Sequence, residues 1–408
     1  MQQQGEKRGL RSVAALALAA VLLASLALAG CGAGSSKSGS TAANGIASGG
    51  RAGADVEYAP PEVEGLTYDH AMDLQYATQF DIYYYNDGYK VISSHGDSRD
   101  YLIVPEGASV PSNLPSNMHV LQQPLDQIYL AGTSAMALFA AIDGVGAITM
   151  SGVEASDWYV PAAKEAYANG TMVYAGKYSQ PDYEMFVSKG CDLAVESTMI
   201  LHSPEVQEQI ERLGVPVFIE RSSYETAPLG RSEWVMCYAA MLNKEDAARA
   251  FFDSQVQIVQ SVEGEAPTGK TVAVFSINSD GSVVIRKPSD YIPQMIESAG
   301  GVYAFNGIEE QGTGTTMRIS MEKFYTTAKD ADYLIYNGTI DGGVMSVQDI
   351  IDKDSTFSSY KAVQEGHVYG IGTDMYQRTD QLAEQITDLH IIVSGGDESQ
   401  LTFIKHLN

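Results

Sequence analysis

The sequence predicts an α/β fold in which two α/β halves are joined by one long α-helix. Apolar strand-like runs alternate with helical patterns over about 128–220, and a second alternating series runs over 271–371. Between them, residues 231–262 contain neither Gly nor Pro and form the longest helical pattern in the chain, with Asn243 as a candidate break. Such alternation is typical of mostly parallel sheets covered by helices. The chain end is also helical in pattern, over 378–391 and 398–407.

The N-terminus has the three parts of an export signal. Three basic residues precede an apolar run at 13–31, which ends on Leu-Ala-Gly-Cys31. A basic segment, an apolar segment and a small-residue cleavage site define such a signal. The run is near the minimum spanning length of roughly 18 residues, but its small-residue end favours cleavage over a membrane helix. Because Leu-Ala-Gly-Cys resembles the bacterial lipobox, we expect 1–30 to be a lipoprotein signal peptide and Cys31 to carry a diacylglycerol.

The mature chain is expected to begin with a tether. Residues 31–57 are rich in Gly, Ser and Ala, a composition that indicates a flexible linker. The folded part then comprises an N-terminal α/β lobe at 58–230, the bridging helix at 231–262 and a C-terminal α/β lobe at 263–408. With lipid on Cys31, the protein is expected at the cell membrane, anchored by lipid and facing outside the cytoplasm.

The folded part opens with β character. Strand-like runs occur at 82–85, 89–92 and 101–104. The last two flank His95-Gly96-Asp97, so they predict a hairpin.

The charge and the cysteine count exclude some classes of function. The formal net charge is −26 at pH 7, and because residues 1–30 carry +2, the mature chain carries −28. Such a surface argues against a nucleic-acid partner and against broad docking on anionic lipid. Cys191 and Cys237 are too few for a disulfide framework; small core residues are the simpler interpretation, and their pairing stays open. Seven scattered His show no ligand spacing, so no metal site is predicted.

The two halves share a local motif. Glu184 starts a short helical pattern that leads to Asp192 and a strand, and Glu322 leads to Asp330 at the same spacing. A single carboxylate at a helix start is explained by the helix dipole. A matched pair, one in each half, favours a shared function.

These paired helices, the Pro-Leu-Gly-Arg-x-Glu-Trp stretch at 228–234 and the lipobox together resemble the ferric-siderophore, haem and cobalamin class of solute-binding proteins of ABC importers. The resemblance covers most of the chain from about 120 to 405. It implies two Rossmann-like lobes bridged by one long α-helix, with the ligand cleft between the lobes. The segments that carry it are 181–197, 213–235, 296–301, 319–336 and 362–371.

The resemblance also implies a function and its partners. A lipid-anchored binding protein of this class captures an iron chelate (siderophore or haem) or a corrinoid and delivers it to an ABC permease dimer. One glutamate on each lobe docks on the permease, and by position these are Glu184 and Glu322. No enzymatic activity and no cofactor are expected, since the metal chelate is the ligand.

Candidate ligand-binding residues follow from sheet geometry. Loops after the carboxyl ends of strands face the crevice in open α/β sheets, and aromatic side chains give rigid contact area to bulky chelates. A basic pair, Arg286 and Lys287, offers a partner for an anionic chelate or a propionate. Any one of the 24 tyrosines is also explained by ordinary packing. The candidates are Thr133, Ser134, Trp158, Tyr159, His202, Tyr224, Arg286, Tyr291 and Tyr376.

Other classes of function have weaker support. A formal P-loop match at 264–271 precedes a strand, whereas a working P-loop follows one. The alternatives that stay open are a lipoprotein receptor for a free metal ion and a non-transport sensor with the same fold. The identity of the chelate also stays open, as does the presence of an outer membrane in the host.

Overall fold

The structure is a computed structural model that describes residues 58–312, 314–339 and 346–408. The predicted signal peptide, the lipidation site Cys31 and the predicted tether lie outside the described residues. Within the described ranges, no helix combines the length and the apolar character needed to cross a bilayer.

The described chain begins with a five-stranded sheet, which we call the N-terminal sheet. Its strands are adjacent in chain order, antiparallel from β1 to β4, with β5 parallel to β4. The predicted hairpin around 95–97 is confirmed as β3–β4. Both faces are covered, because Ile82 and Ile92 join the main core while Tyr83 and Val91 join a smaller cluster. The strands are β1 (Tyr68–Ala71), β2 (Phe80–Tyr85), β3 (Lys90–Ser94), β4 (Arg99–Val104) and β5 (Met118–Gln122).

The first lobe is built on a parallel sheet with the strand order β12-β11-β6-β7-β8. A separate two-stranded ribbon, β9–β10, precedes α3. The strands are β6 (Ile128–Leu130), β7 (Ile148–Ser151), β8 (Val173–Tyr174), β9 (Gly176–Lys177), β10 (Gln180–Pro181), β11 (Leu193–Ser197) and β12 (Val217–Glu220). The helices are α1 (Thr133–Ala141), α2 (Pro161–Ala168), α3 (Tyr183–Lys189) and α4 (Pro204–Arg212).

The connector between the lobes is helical, as expected, but it is not one helix. It consists of α5 (Pro228–Glu233), α6 (Val235–Leu242) and α7 (Glu245–Glu263). The helical segment is interrupted at Asn243, which ends α6 with a left-handed backbone φ of 55°. The N-terminal sheet binds at this break: Lys90 Nζ donates to the Ala240 carbonyl at 3.0 Å, and Gln123 Nε2 donates to the Met241 carbonyl at 2.7 Å. Side chains from β3 and from the residue after β5 therefore donate to carbonyls at the end of α6. These carbonyls have no partner within the helix.

Two buried carboxylates tie the connector to the segment before β2. Glu233 accepts the backbone N–H groups of residues 75, 76 and 77 at 2.7–2.8 Å. Glu225 accepts those of residues 78 and 79 at 2.8 and 3.0 Å, and also the indole N–H of Trp234 at 2.9 Å. Five consecutive donors in a segment without regular structure thus find acceptors on or next to α5.

The second lobe has a seven-stranded mixed sheet. Strands β13, β17 and β18 are parallel, and β15 pairs in parallel with the start of β13. At one edge β14 pairs antiparallel with β13 and β16 antiparallel with β14; at the other edge β19 pairs antiparallel with β18. The strands are β13 (Thr271–Ile277), β14 (Val283–Arg286), β15 (Val302–Tyr303), β16 (Thr316–Ile319), β17 (Tyr333–Asn337), β18 (Val368–Ile371) and β19 (Ile404–His406). The helices are α8 (Tyr291–Ser298), α9 (Met321–Ala328), α10 (Val347–Lys353), α11 (Lys361–Glu365) and α12 (Leu382–Ser394).

The helical interpretation of 398–407 is wrong. This segment ends in β19, which pairs antiparallel with β18. The cause is a tertiary contact: the Asp388 carboxylate on α12 accepts the backbone N–H groups of residues 402, 403 and 404 at 2.6–3.0 Å, which holds the bend that leads into β19.

Candidate functional site

A cleft of about 280 Å³ lies where the two lobes and the connector meet. The first lobe contributes the turn after β6 and the ends of β11 and β12, where the rule for parallel sheets places a crevice. The second lobe contributes an arginine and two tyrosines, and α5 contributes a second arginine. The lining residues are Thr133, Ser134, Ser197, Thr198, Met199, Glu220, Ser223, Arg231, Arg286, Tyr291, Thr315 and Tyr376.

The first-lobe wall is polar and internally bonded. Glu220, buried at the end of β12, accepts a hydrogen bond from Ser134 Oγ at 2.6 Å and another from the Ser222 N–H at 2.7 Å. Both carboxylate oxygens therefore have partners within the wall. The remaining hydroxyl groups give this wall several neutral donors and acceptors.

The second-lobe wall is organised around Arg286. Its guanidinium donates to the Tyr376 hydroxyl and lies 3.5 Å from an Asp290 oxygen. The Tyr376 hydroxyl also accepts from Asn337 Nδ2 at 2.7 Å. Burial by itself would lower the pKa of Arg286, but Tyr376, Asp290 and Tyr291 outweigh it and raise the pKa above its ordinary value. Arg286 is therefore a permanent cation on this wall.

The pKa of the neighbouring carboxyl, Asp290, is raised as well, which for an acid favours the neutral form. Burial raises the pKa of Asp290, and this effect is partly opposed by Arg286 and Arg231. Asp290 also caps α8, because its side chain accepts the Ile292 N–H at 3.1 Å. This carboxylate thus orients the helix that carries Tyr291.

The structure brings five of the nine candidate residues together in the cleft lining. These are Thr133, Ser134, Arg286, Tyr291 and Tyr376. Lys287, the other member of the basic pair, is buried and donates to the Gly312 carbonyl at 2.6 Å instead.

The other four candidates lie outside the lining. Trp158 is a core residue whose indole N–H donates to Ser151 Oγ at 3.1 Å. His202 is exposed on a short 3₁₀ turn after β11. Tyr159 and Tyr224 are exposed as well, and Tyr224 directly follows the lining residue Ser223.

Arg231 and Glu220 were missed by sequence reasoning. Arg231 lies within the Pro-Leu-Gly-Arg-x-Glu-Trp stretch that carries the family resemblance, at the first position of the predicted bridging helix, and the pattern gives it no ligand role. A basic residue among the small and apolar residues of α5, in a strongly acidic chain, was the available sign.

Glu184 and Glu322 occupy matching positions in the two lobes. Each is the second residue of a short helix, α3 or α9, and each is exposed. The helix starts are capped alike, by the side chains of Asp182 and Ser320. Each helix leads into the strand, β11 or β17, that pairs in parallel with the first strand of its lobe, β6 or β13.

The prediction that Asp330 is the second carboxylate of the repeated motif is wrong. Asp192 precedes β11, and its side chain accepts the N–H groups of residues 126 and 127 at 2.8 and 2.9 Å. The residue with this role in the second lobe is Asp332, which accepts the Thr271 N–H at 2.8 Å. Asp330 is an exposed partner of Lys329. The helix α9 and the loop after it are each one residue longer than α3 and its loop, so equal spacing selects the wrong aspartate.

Among the described residues, the cysteines and the candidate metal-ligating side chains form no redox or metal site. Cys191 and Cys237 are both free, and burial raises the pKa of Cys191 to about 12. Within the described ranges, no group of three or more His, Cys, Asp or Glu side chains is arranged to hold a metal ion.

Comparison with known proteins defines the class. Residues 131–375 match the model of a periplasmic binding protein family, so the chain belongs to that family. Its members are binding proteins rather than enzymes, and this chain is one of them. The match begins after the N-terminal sheet.

Individual relatives are distant. An uncharacterized lipoprotein of Methanocaldococcus jannaschii is 23% identical over 352 residues, which is 78% of this chain and 81% of the relative. The haem-binding protein HutB of Vibrio cholerae has a TM-score of 0.53 at 14% identity, covering 64% of this chain and 97% of HutB. The petrobactin-binding protein YclQ of Bacillus subtilis has a TM-score of 0.52 at 15% identity, covering 66% and 92%. These two likenesses show the fold.

Proposed function

We propose that this protein is the lipid-anchored receptor of an ABC importer, which captures a metal chelate of the siderophore, haem or corrinoid type and delivers it to the permease dimer. The observation that carries the proposal is the cleft between the lobes of a periplasmic binding protein fold, lined by two arginines, two tyrosines and several hydroxyl groups.

The size of the cleft and its rim support a bulky ligand. At about 280 Å³ the cleft is slightly smaller than the sites of drug-sized ligands, so it suits one part of a chelate. Met199, Leu201 and Tyr224 lie exposed on the first lobe in or next to residues of the cleft wall. Exposed apolar side chains grouped at one place indicate a contact surface, here for the part of the chelate that extends out of the cleft.

The charge distribution supports an anionic chelate. The chain is strongly acidic, yet two guanidinium groups lie in one small cleft. Glu220 also lines the cleft, but the two guanidinium groups outnumber it. A cationic cleft inside an acidic surface concentrates anionic ligands.

The two matched glutamates support delivery to a permease. A short loop reverses the chain between each helix and the following strand, so the helix start lies toward the carboxyl edge of the sheet. In the first lobe this is the edge that carries the cleft. A docking surface beside the cleft opening permits direct transfer, and two carboxylates on separate lobes fix the orientation on a basic partner.

The test is a binding panel. The protein is titrated with a ferric tris-catecholate, a ferric tris-hydroxamate, haem and cobalamin, and binding is followed by the visible absorption of the chelate in equilibrium dialysis. Absorption suits this protein better than intrinsic fluorescence, since Trp158 and Trp234 are both buried. At least one chelate should saturate. Arg286→Ala should weaken an anionic chelate by about thirtyfold or more, since truncating a desolvated Arg partner typically costs about 2–5 kcal/mol.

The panel also contains the results that would refute the proposal. Tight binding of a free metal ion or a sugar, with no binding of any chelate, removes the assigned ligand class. Saturable chelate binding that Arg286→Ala leaves unchanged keeps the class and discards Arg286 as its partner.

A further inference from the structure

Arg231 is a buried cation in the floor of the cleft. It lies on α5, in the connector, so it belongs to neither lobe. Its relative exposure is 5%, yet it lines the cleft. Its guanidinium lies over the ring of Tyr291, 3.9 Å from the ring centroid, a cation–π contact.

Arg231 differs from the other buried arginine of the cleft. Arg286 is bonded to Tyr376 and paired with Asp290. For Arg231, in contrast, the buried Nε atom has no hydrogen-bond partner. Among the described residues, no carboxylate oxygen lies within ion-pair distance of its guanidinium. A buried polar group without a hydrogen-bond partner costs free energy. The hydrogen bonds of the folded chain therefore give no reason for a guanidinium at this position.

The acidic groups around Arg231 are already engaged. Glu220 lines the same cleft, but its two oxygens accept from Ser134 and from the Ser222 N–H. Asp290 lies near enough to Arg231 for the guanidinium to lower the pKa of the Asp290 carboxyl. The Asp290 carboxylate is itself held by Arg286 and the Ile292 N–H. Both acids near Arg231 therefore have hydrogen-bond partners, whereas the Arg231 Nε has none.

The ring of Tyr291 lies near both arginines of the cleft. The Arg286 guanidinium is 5.9 Å from the Tyr291 centroid, whereas the Arg231 guanidinium is 3.9 Å from it. The ring of Tyr291 covers one face of Arg231. The N–H groups of a guanidinium lie in its plane, so the covered face does not block them, and they match two oxygens of a planar anion.

We propose that Arg231 is the anion receptor in the floor of the cleft, and that the ligand presents to it a carboxylate or catecholate oxygen pair. This inference rests on the proposed function and narrows it: the receptor selects chelates with an anionic group at the periphery over neutral hydroxamate and corrinoid ligands. The anion sits at the junction of the lobes, where Arg286 approaches it from the second lobe.

The experiment compares Arg231→Met and Arg231→Lys with the wild type. Arg318→Gln is the matched control, because it also removes one guanidinium charge but from an exposed surface pair with Asp280. The probes are a ferric tris-catecholate, ferric citrate, haem and a neutral ferric tris-hydroxamate; metal-free citrate is added as a probe for the anion alone. Affinity is measured by equilibrium dialysis, and the melting temperature is measured without ligand.

Arg231→Met is expected to weaken the anionic chelate that binds the wild type by about thirtyfold or more, and the neutral chelate by less than about threefold. Arg231→Lys keeps the charge but loses the planar fork, so it should recover only part of the affinity. The melting temperature of Arg231→Met should stay close to that of Arg318→Gln, because the Arg231 Nε makes no hydrogen bond and the substitution removes only the contact with the Tyr291 ring and the influence on Asp290. The preferred anionic probe tells carboxylate from catecholate.

Other results separate the two proposals. If the chelates bind and the Arg231 variants leave every affinity unchanged, this inference is overturned and the proposed function stands. A melting temperature well below that of Arg318→Gln, with affinity unchanged, likewise overturns it in favour of a structural role. If no chelate binds but free citrate stabilises the wild type and not Arg231→Met, the anion receptor stands and the proposed function fails. If none of the probes binds the wild type, this inference is overturned.

Discussion

Replacing Glu233 with Ala should detach the segment 75–77 from the connector. The Glu233 carboxylate is almost fully buried and accepts three backbone N–H groups at 2.7–2.8 Å. The substitution removes the acceptor and leaves the three donors in place. Burial raises the pKa of Glu233 and these hydrogen bonds oppose the shift, so the donors offset part of the cost of burying the carboxylate.

The magnitude follows from the burial of the three donors. An orphaned buried donor costs about 1–3 kcal/mol. The bond from the Ala77 N–H is buried, while those from residues 75 and 76 are partly buried and can find water. We therefore expect a loss of about 2–5 kcal/mol in the free energy of unfolding, of which the Ala77 donor contributes the largest share.

The assay is urea denaturation with hydrogen exchange at the three amides. Glu208→Ala is the control, since it removes the same side chain from an exposed ion pair with Arg212, a kind of pair worth about 0–1 kcal/mol. Glu233→Ala should lower the midpoint clearly more than the control and speed exchange at residues 75–77. A midpoint equal to that of Glu208→Ala, with exchange unchanged, would refute the assignment of these bonds as the tie between sheet and connector.

Three further predictions concern pH, docking and the anchor. Burial holds the pKa of Glu196 well above its ordinary value, and neither of its oxygens has a partner; the folded state thus favours the protonated form, and stability is lost as pH rises above the ordinary pKa toward the folded one. Glu196→Gln should flatten the dependence of the urea midpoint on pH between about 5 and 8, and a slope equal to that of the wild type would contradict this. Glu184→Ala and Glu322→Ala should impair uptake while ligand affinity stays intact, with the double variant worse than either; Glu165→Ala, which removes an exposed glutamate on α2 of the first lobe, is the control, and a severalfold loss of affinity would show that a docking residue was misplaced. Cys31→Ala should release the protein from the membrane or stall it as a precursor, and unchanged fractionation together with an unmodified wild-type mass would rule out the lipid anchor.

Local pattern was sufficient for most elements and for part of the site. The strands at 193–197 and 271–277 are short apolar runs next to turn residues, so periodicity finds them. Thr133 and Ser134 follow from the rule for strand ends. The same rule selects Arg286 at the end of β14. However, β14 runs antiparallel to β13, so the rule for parallel strands does not apply there. It lines the cleft because its side chain reaches Tyr376.

The predictions that the structure overturns depend on tertiary packing. Trp158 follows a strand, which predicts a place at the cleft, but a bond to Ser151 and the surrounding core keep it inside. The pattern at 398–407 predicts a helix, but Asp388 and the edge of β18 direct the end of this segment into a strand. The sequence indicates the break near Asn243, but not the bond from Lys90, 153 residues earlier, that stabilises it. Local periodicity does not show which core or strand edge a segment will meet.

The tie between Glu233 and the segment 75–77 has a consequence for shortened proteins and biosensors made from this binding protein. The family match alone would suggest cutting the chain near residue 131, where it starts. Such a cut removes all five backbone donors of Glu225 and Glu233 and the cover of the helix break at Asn243. The two carboxylates would then remain without those donors on and just before α5, the helix that carries Arg231. The folding unit therefore extends beyond the residues that the family model matches, and a fluorescent or electrochemical sensor built on this cleft has to retain the N-terminal sheet and the segment 75–79.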